Sequence, residues 1–287
     1  QKAITITING SEDAPVVSGT YSGNVTEDGT GTASGTIDIS DVDTNDTPAF
    51  ASTTVNSTYG VLTLDVDGNW NYELNDASVQ TLDVGESATD IITLTATDGT
   101  QKAITITING SEDASVVAGT YSGNVTEDGV GTASGTIDIT DIDTNDTPAF
   151  GAKVVNSTYG VFTLNESGEW SYELDDASVQ TLDAGESATD IITLIATDGT
   201  QKAISITING SEDDSVITGT VIGSVTEDSK LSTSGVLSIT DVDNTDTPAF
   251  NAGDVSGAYG VVTVQNDGSW TYNLDNTLVQ NLDAGES

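Results

Sequence analysis

Carboxylates are the side chains through which this chain could do chemistry, and their spacing is repetitive. Gln1 to Gly10 returns at Gln101 to Gly110 unchanged and at Gln201 to Gly210 with a single Thr-to-Ser change, so copies of a 100-residue repeat can be compared within one chain. Some acids drift between copies: Asp65 gives way to Asn165 and Gln265, Asp67 to Ser167, Asp38 to Ser238 and Asp76 to Asn276. These behave as surface or turn residues. Others hold in every copy, namely Glu12-Asp13, Glu27-Asp28, Asp41, Asp43, Asp46, Asp83 and Glu86, and Asp98 holds in both copies that reach it. Clusters of Asp and Glu beside Asn and Gly backbone suit calcium, which takes six to eight oxygen ligands in flexible geometry, better than magnesium, which demands a stricter octahedron.

Composition removes most other chemistries. The 46 Asp and Glu face five Lys and no Arg, giving a formal charge of −41. Nucleic acid is thereby excluded as a partner, and unassisted docking on an anionic bilayer is disfavoured. Without Cys, His or Met the chain has no disulfide, no thiol chemistry, no soft metal ligand and no imidazole base. Paired carboxylates can serve as a glycosidase acid and nucleophile. Here the same acids recur in every unit with no cleft-forming insertion, so the chain reads as a non-enzyme. No apolar run approaches the roughly 20 residues of a membrane span. With no initiating Met or basic leader, the sequence reads as a window of a longer protein, not embedded in a membrane.

The elements that must position these acids are strands. Ile4, Ile6 and Ile8 alternate with Thr5 and Thr7, the period of a strand with one buried face. Val61 to Leu64, Asp67-Gly68, then Trp70, Tyr72 and Leu74 read as a hairpin whose turn needs the positive φ that glycine supplies. A second hairpin runs from Ile92, Leu94 and Ala96 through Asp98-Gly99-Thr100 to Ile104, Ile106 and Ile108. Val16-Val17, Tyr21 to Val25 and Ile37 to Ile39 add three short strands, and Ala77 to Leu82 reads as a helical turn. About seven strands in about 100 residues predict an all-β chain of tandem antiparallel, immunoglobulin-like sandwiches.

The folding units fall at 11–110, 111–210 and 211–287, with residues 1–10 as the last strand of a preceding unit and the third unit lacking its final hairpin. That third unit is expected to be unstable alone, with core and sheet edge bared. Residues 1–10 could instead complete a neighbouring molecule's sandwich by strand addition, although one strand cannot replace two.

Asp41-Val42-Asp43-Thr44-Asn45-Asp46-Thr47-Pro48-Ala49-Phe50, Tyr59-Gly60, Asp67-Gly68-Asn69-Trp70-Asn71-Tyr72, Val79 to Leu82, Gly85-Glu86-Ser87, Asp98-Gly99-Thr100 and Ile108 to Ala114 together resemble the VCBS repeat. That repeat is a cadherin-like module of very large bacterial surface and secreted adhesins, often exported by type I secretion. The resemblance covers the whole chain. It implies an extracellular bacterial adhesin and a tandem stalk, and it says nothing of a tip domain.

A looser resemblance, to cadherin junctions, implies where calcium sits: an early Glu, an L-D-x-E element and an acidic linker, met by a D-x-D and an A-x-D of the next domain. Similar residues here are Glu27, Asp83, Glu86, the linker Asn109, Glu112 and Asp113, then Asp141, Asp143 and Asp198. The same positions one copy on are Glu127, Asp183, Glu186, Asn209, Glu212, Asp213, Asp241 and Asp243, and Asp41, Asp43 and Asp98 are their counterparts in the first copy. The pattern departs in an extra residue before Glu86 and in a linker reading Asn-Gly-Ser-Glu-Asp. Carboxylates crowded at the end of a sandwich repel one another, and a divalent ion converts repulsion into a crosslink. The competing reading is that these acids cap turns while charge keeps the array soluble.

Other signals carry less. Asn9, Asn24, Asn45 and Asn56 match the N-glycosylation pattern, which a Thr- and Asn-rich chain produces by chance. Trp70, Trp170 and Trp270 sit at inward strand positions and read as core instead of sugar platforms. Lys2, Lys102 and Lys202 read as exposed, with an isopeptide bond to Asn as the alternative. Three functions fit: a calcium-stiffened spacer supporting adhesion and biofilm, a repeat that binds glycans or surfaces directly, or the body of an extracellular filament assembled from copies of the chain. Neighbouring repeats of the same chain are the expected partners.

Overall fold

Alternating apolar and polar residues with Gly-containing turns give strands and almost no helix. The computed structural model describes residues 1–287. The first copy holds β1 (Val16–Gly19), β2 (Ser22–Thr26), β3 (Thr32–Ser40), β4 (Thr53–Asn56), β5 (Gly60–Leu64), β6 (Asn69–Leu74), β7 (Ser87–Thr95) and β8 (Gln101–Asn109). The second repeats them as β9 (Val116–Gly119), β10 (Ser122–Thr126), β11 (Thr132–Thr140), β12 (Lys153–Asn156), β13 (Gly160–Leu164), β14 (Glu169–Leu174), β15 (Ser187–Ile195) and β16 (Gln201–Asn209). The third has β17 (Val216–Gly219), β18 (Ser232–Thr240), β19 (Gly253–Ser256), β20 (Gly260–Val264) and β21 (Ser269–Leu274). Residues 1–10 carry no regular structure in this chain.

In the first copy a five-stranded sheet, ordered β1-β3-β6-β5-β4, accompanies a three-stranded sheet ordered β2-β8-β7. The chain is all-β and sandwich-like, as expected, with two differences of detail. An eighth strand, β4, pairs antiparallel with β5, and β2 runs parallel to β8, Ser22 opposite Thr105 through Thr26 opposite Asn109. The first strand is split: β1 pairs with β3 and, after Thr20-Tyr21, β2 crosses to the other sheet. That crossing brings Glu27, next after β2, beside Asn109 at the end of β8, where the Glu27 amide donates to the Asn109 carbonyl at 3.2 Å.

The two compact units of the chain are Gln1–Val117 with Ile139–Ala149, and Ala118–Asp138 with Phe150–Ser287. The first has a core of Leu62, Trp70, Tyr72, Ile92, Ile104, Ile106 and Ile108, all fully buried. Each such aliphatic side chain contributes about 1.5–3 kcal/mol on leaving water. Trp70 lies against Gly35, where a Cβ would come within 2.6 Å of the indole ring, and its Nε1 donates to the Thr20 carbonyl at 2.9 Å. Trp170 is likewise core in the second unit, so the reading as core holds for Trp70 and Trp170, whereas Trp270 is half-buried. The Lys expectation needs correction: the Lys102 ammonium lies 3.7 Å from the centre of the Tyr21 ring, half-buried, and Lys202 lies 3.6 Å from that of Tyr121.

One acid is built into the sandwich itself. Asp90 is buried, and its Oδ2 accepts from Ser57 Oγ at 2.5 Å, Tyr59 N at 3.1 Å and Tyr72 Oη at 2.9 Å. Desolvation and this carboxylate push the Tyr72 phenol well above its ordinary pKa. In the third copy Trp270 and Tyr272 help line an open apolar hollow of about 400 Å³.

Candidate metal centre

The loop after each split first strand, the linker after β8 and the loop after the third strand of the following copy converge, and all three are acidic. In the first unit Asp83, Glu112, Asp143 and Asp146 bring one carboxylate oxygen each within 4.8 Å of one another. In the second unit Asp183, Glu212 and Asp243 do the same, as do Glu127, Asp213 and Asp243, and Asp241, Asp243 and Asp246. Glu12, Asp43 and Asp46 form the corresponding group near the start of the chain.

Burial makes these groups unusual. Glu27, Asp143, Glu127 and Asp243 are 1%, 2%, 1% and 3% exposed in a chain nearly devoid of cations. Glu27 Oε2, Asp113 Oδ2 and Asp143 Oδ1 are buried with no hydrogen-bond partner, and Glu127 Oε2, Asp213 Oδ2 and Asp243 Oδ1 repeat the pattern in the second unit. The other oxygen of Glu27, Glu127, Asp143 and Asp243 is fixed. Ser111 N donates to Glu27 Oε1 at 2.8 Å, Asp113 N to Asp143 Oδ2 at 2.9 Å, and Asp213 N to Asp243 Oδ2 at 2.9 Å. Backbone amides thus orient Glu27, Glu127, Asp143 and Asp243 and leave one oxygen of each unpaired, an arrangement that costs free energy unless a cation completes it.

The electrostatics agree. Desolvation first, then the charges of Asp113 and Asp143, pushes the Glu27 carboxyl above its ordinary pKa, although the Ser111 amide opposes this. The charge of Asp146 does so for Glu112, and desolvation followed by a hydrogen bond to Asp28 does so for Asp113. Desolvation and Asp83 raise Asp146. Glu127, Glu212 and Asp213 are raised in the same way in the second unit. Each shift says that negative charge is disfavoured where it is concentrated.

The remaining sequence-predicted residues surround these groups. Glu86 Oε2 accepts from Asp83 N at 3.2 Å and its Oε1 from Asn145 Nδ2 at 2.6 Å, while Glu186 Oε2 accepts from Asp183 N at 3.2 Å. Asp141 accepts from Asp143 N and Ser115 Oγ, and Asp241 from Asp243 N and Ser215 Oγ, so both orient the loop. Asp41 plays the same part for Asp43 in the first copy. Asn109 and Asn209 turn their amides to the carbonyls of Val25 and Val125, each at 3.0 Å. Asp98 lines one hollow with Glu12, Asp13, Asp41 and Asp46, and Asp98 and Asp198 each accept from the amide and hydroxyl of Thr100 or Thr200 in their own hairpin turns. Those bonds hold Asp98 below its ordinary pKa.

Glu12, Asp46, Asp146 and Asp246 in these groups, and Asp28 beside them, were not among the residues expected to ligate. Asp146 joins the first group, and the recurrence of Asp46, Asp146 and Asp246 was the signal for it. Asp28 adopts a left-handed φ of 53°, repeated at Asp128 and Asp228, which turns the chain so that its carboxyl meets Asp113. Gly110 is also required: a Cβ there would stand 2.2 Å from the Asp83 carbonyl and 2.5 Å from that of Leu82.

An all-β chain of tandem repeats that carries acidic, oxygen-only groups beside the linkers between copies is the architecture of a cadherin-like repeat module. The description "bacterial cadherin-like domain" matches residues 12–110 and 112–210, and the chain belongs to that family. Among solved structures, protocadherin gamma B2 extracellular cadherin domains 3–6 is 15% identical, with 91% of this chain and 65% of that one covered and a TM-score of 0.47. Human CDH23 EC21-23 is 14% identical over 92% of this chain and 88% of that one, with a TM-score of 0.44. For Drosophila N-cadherin EC1-4 the values are 15%, 92%, 66% and 0.37. The chain spans 65% of the length of PcdhgB3 EC1-4, a further match of the same kind. No curated protein matches the sequence. No helix is long and apolar enough to cross a membrane.

Proposed function

We propose that the chain is the repeat region of an extracellular bacterial adhesin, a stalk of VCBS-like copies stiffened by calcium that carries an adhesive tip away from the cell surface and supports biofilm formation. The observation that carries this reading is the set of buried, unpartnered carboxylate oxygens on Glu27, Asp113 and Asp143 and on Glu127, Asp213 and Asp243. Three such oxygens in each unit, in a chain nearly devoid of cations, fit a hard dication, and the flexible, oxygen-rich coordination of calcium suits mixed carboxylate and backbone donors. Glu27, Asp113 and Asp143 would hold one ion, and Asp83, Glu112, Asp143 and Asp146 a second, with Asp143 common to both. The ion would supply charge neutralisation and a crosslink between the linker and the following copy, which is what a spacer needs.

The test is small-angle scattering from the full chain in calcium and in chelator. An extended particle that becomes more compact or more variable on chelation supports the stalk. An unchanged profile together with no calcium uptake refutes it.

A further inference from the structure

The octapeptide Ile6-Thr7-Ile8-Asn9-Gly10-Ser11-Glu12-Asp13 recurs without change at Ile106 to Asp113 and at Ile206 to Asp213. Each copy contains Asn-Gly, the dipeptide most prone to intramolecular deamidation, because glycine has no Cβ on its Cα to shield its amide nitrogen. In that reaction the Gly nitrogen loses its proton and attacks the Asn side-chain Cγ. The bond from Cγ to the amide nitrogen breaks, ammonia leaves and a succinimide forms. Water then opens the ring at either carbonyl, giving aspartate or isoaspartate.

Identical sequence stands in different surroundings. Asn9 and Gly10 are exposed, without regular structure, and no atom lies within 4 Å of where a Gly10 Cβ would be. At Asn109 both reacting groups are held: the Gly110 amide donates to the Glu86 carbonyl at 3.0 Å, and the Asn109 side-chain amide donates to the Val25 carbonyl at 3.0 Å. The Glu27 amide pins the Asn109 carbonyl between them. Asn209 repeats this with Gly210 to Glu186, Asn209 to Val125 and Glu127 to Asn209. Glycine is present at 110 and 210 because a Cβ would strike the carbonyls of Asp83 or Asp183, so packing installs the labile dipeptide next to the acidic groups.

We infer that Asn109 and Asn209 are latent deamidation sites, closed while β8 pairs with β2 and β16 with β10, and opened when those strands separate. Conversion is one-way. Aspartate at 109 would set a carboxylate against the Val25 carbonyl, and isoaspartate would add a backbone atom that breaks register with β2. A strand end that has once opened for long enough is thereby marked and does not close as before. The inference rests on strand pairing and stands whether or not calcium binds.

The full chain incubated in mildly alkaline buffer, then mapped by peptide mass spectrometry and isoaspartate methylation, tests it. Asn9 should convert about tenfold or more faster than Asn109 and Asn209 in native buffer, since protected sites react only from a minor open population. In unfolding urea all three should convert at one rate, their neighbours being identical. Conversion of Asn109 as fast as Asn9 in native buffer, or its persistence in urea while Asn9 reacts, overturns the inference.

Discussion

Replacing Asp143 with Asn should change stability in opposite directions with and without calcium. Asp143 is 2% exposed, its Oδ1 has no partner, and its Oδ2 accepts from Asp113 N, a bond that the Asn carbonyl can retain. Without the ion, the substitution removes a buried, uncompensated charge, a relief of about 1–3 kcal/mol. At about 2–4 °C per kcal/mol for a unit of this size, the chelated variant should melt roughly 6 °C higher. With free calcium about a hundredfold above its Kd, each bound ion contributes about 2.7 kcal/mol, and Asp143 belongs to both proposed positions. The variant should then melt roughly 8 °C or more below the parent in calcium. Differential scanning calorimetry of the full chain reads both arms, with the unaltered Asp243 group as internal reference. Destabilisation of equal size in calcium and in chelator would refute the reasoning, because it would make Asp143 a structural acid and not a ligand.

Four further outcomes follow from the same geometry. In chelator, stability should fall as pH rises through and above the ordinary carboxylate range: Glu27, Glu112, Asp113 and Asp146 have raised folded pKa values, so the folded state holds more protons there than the unfolded one. Thermal melts across the range in calcium-free buffer check this, and a rise with pH would contradict it. Gly110→Ala should displace the Asp83 backbone and cost about 1–3 kcal/mol, together with calcium affinity, measured by urea midpoint and calcium titration. Asp90→Ala leaves the Tyr59 amide and Tyr72 without their acceptor, while Ser57 keeps the Gly60 carbonyl, and should cost about 3 kcal/mol in urea unfolding, against a smaller loss for Asp90→Asn. Asp141→Ala combined with Asp143→Ala should loosen the first acidic group without unfolding either neighbouring sandwich, seen as calcium-insensitive scattering with unchanged circular dichroism.

The sequence carried the strands further than their partners. Alternation at Ile104, Ile106 and Ile108 gives the buried face of β8, yet β2 has the same alternation whether it runs parallel or antiparallel to it. Strand β4, Thr53–Asn56, escaped notice because only Val55 in it is apolar, and as an edge strand it buries little. The acids divide along similar lines. Asp143 and Asp243 were legible because a D-x-D that survives between copies places alternate residues on one side of a turn. Asp98 and Asp198 recur just as faithfully, and the hydrogen bonds that their carboxylates accept within the Asp-Gly-Thr turn are local ones that recurrence does not reveal. Burial of Glu27 depends on the crossing of the first strand between sheets, which no local pattern announces.

Calorimetric titration of calcium into the chelator-treated full chain tests the central claim most directly. The account predicts saturable binding that weakens sharply in the Asp143→Asn, Asp243→Asn double variant while the fold persists by circular dichroism. Absence of binding by the parent chain, or equal binding by the double variant, would contradict it and leave the buried carboxylates without the cation that their geometry demands.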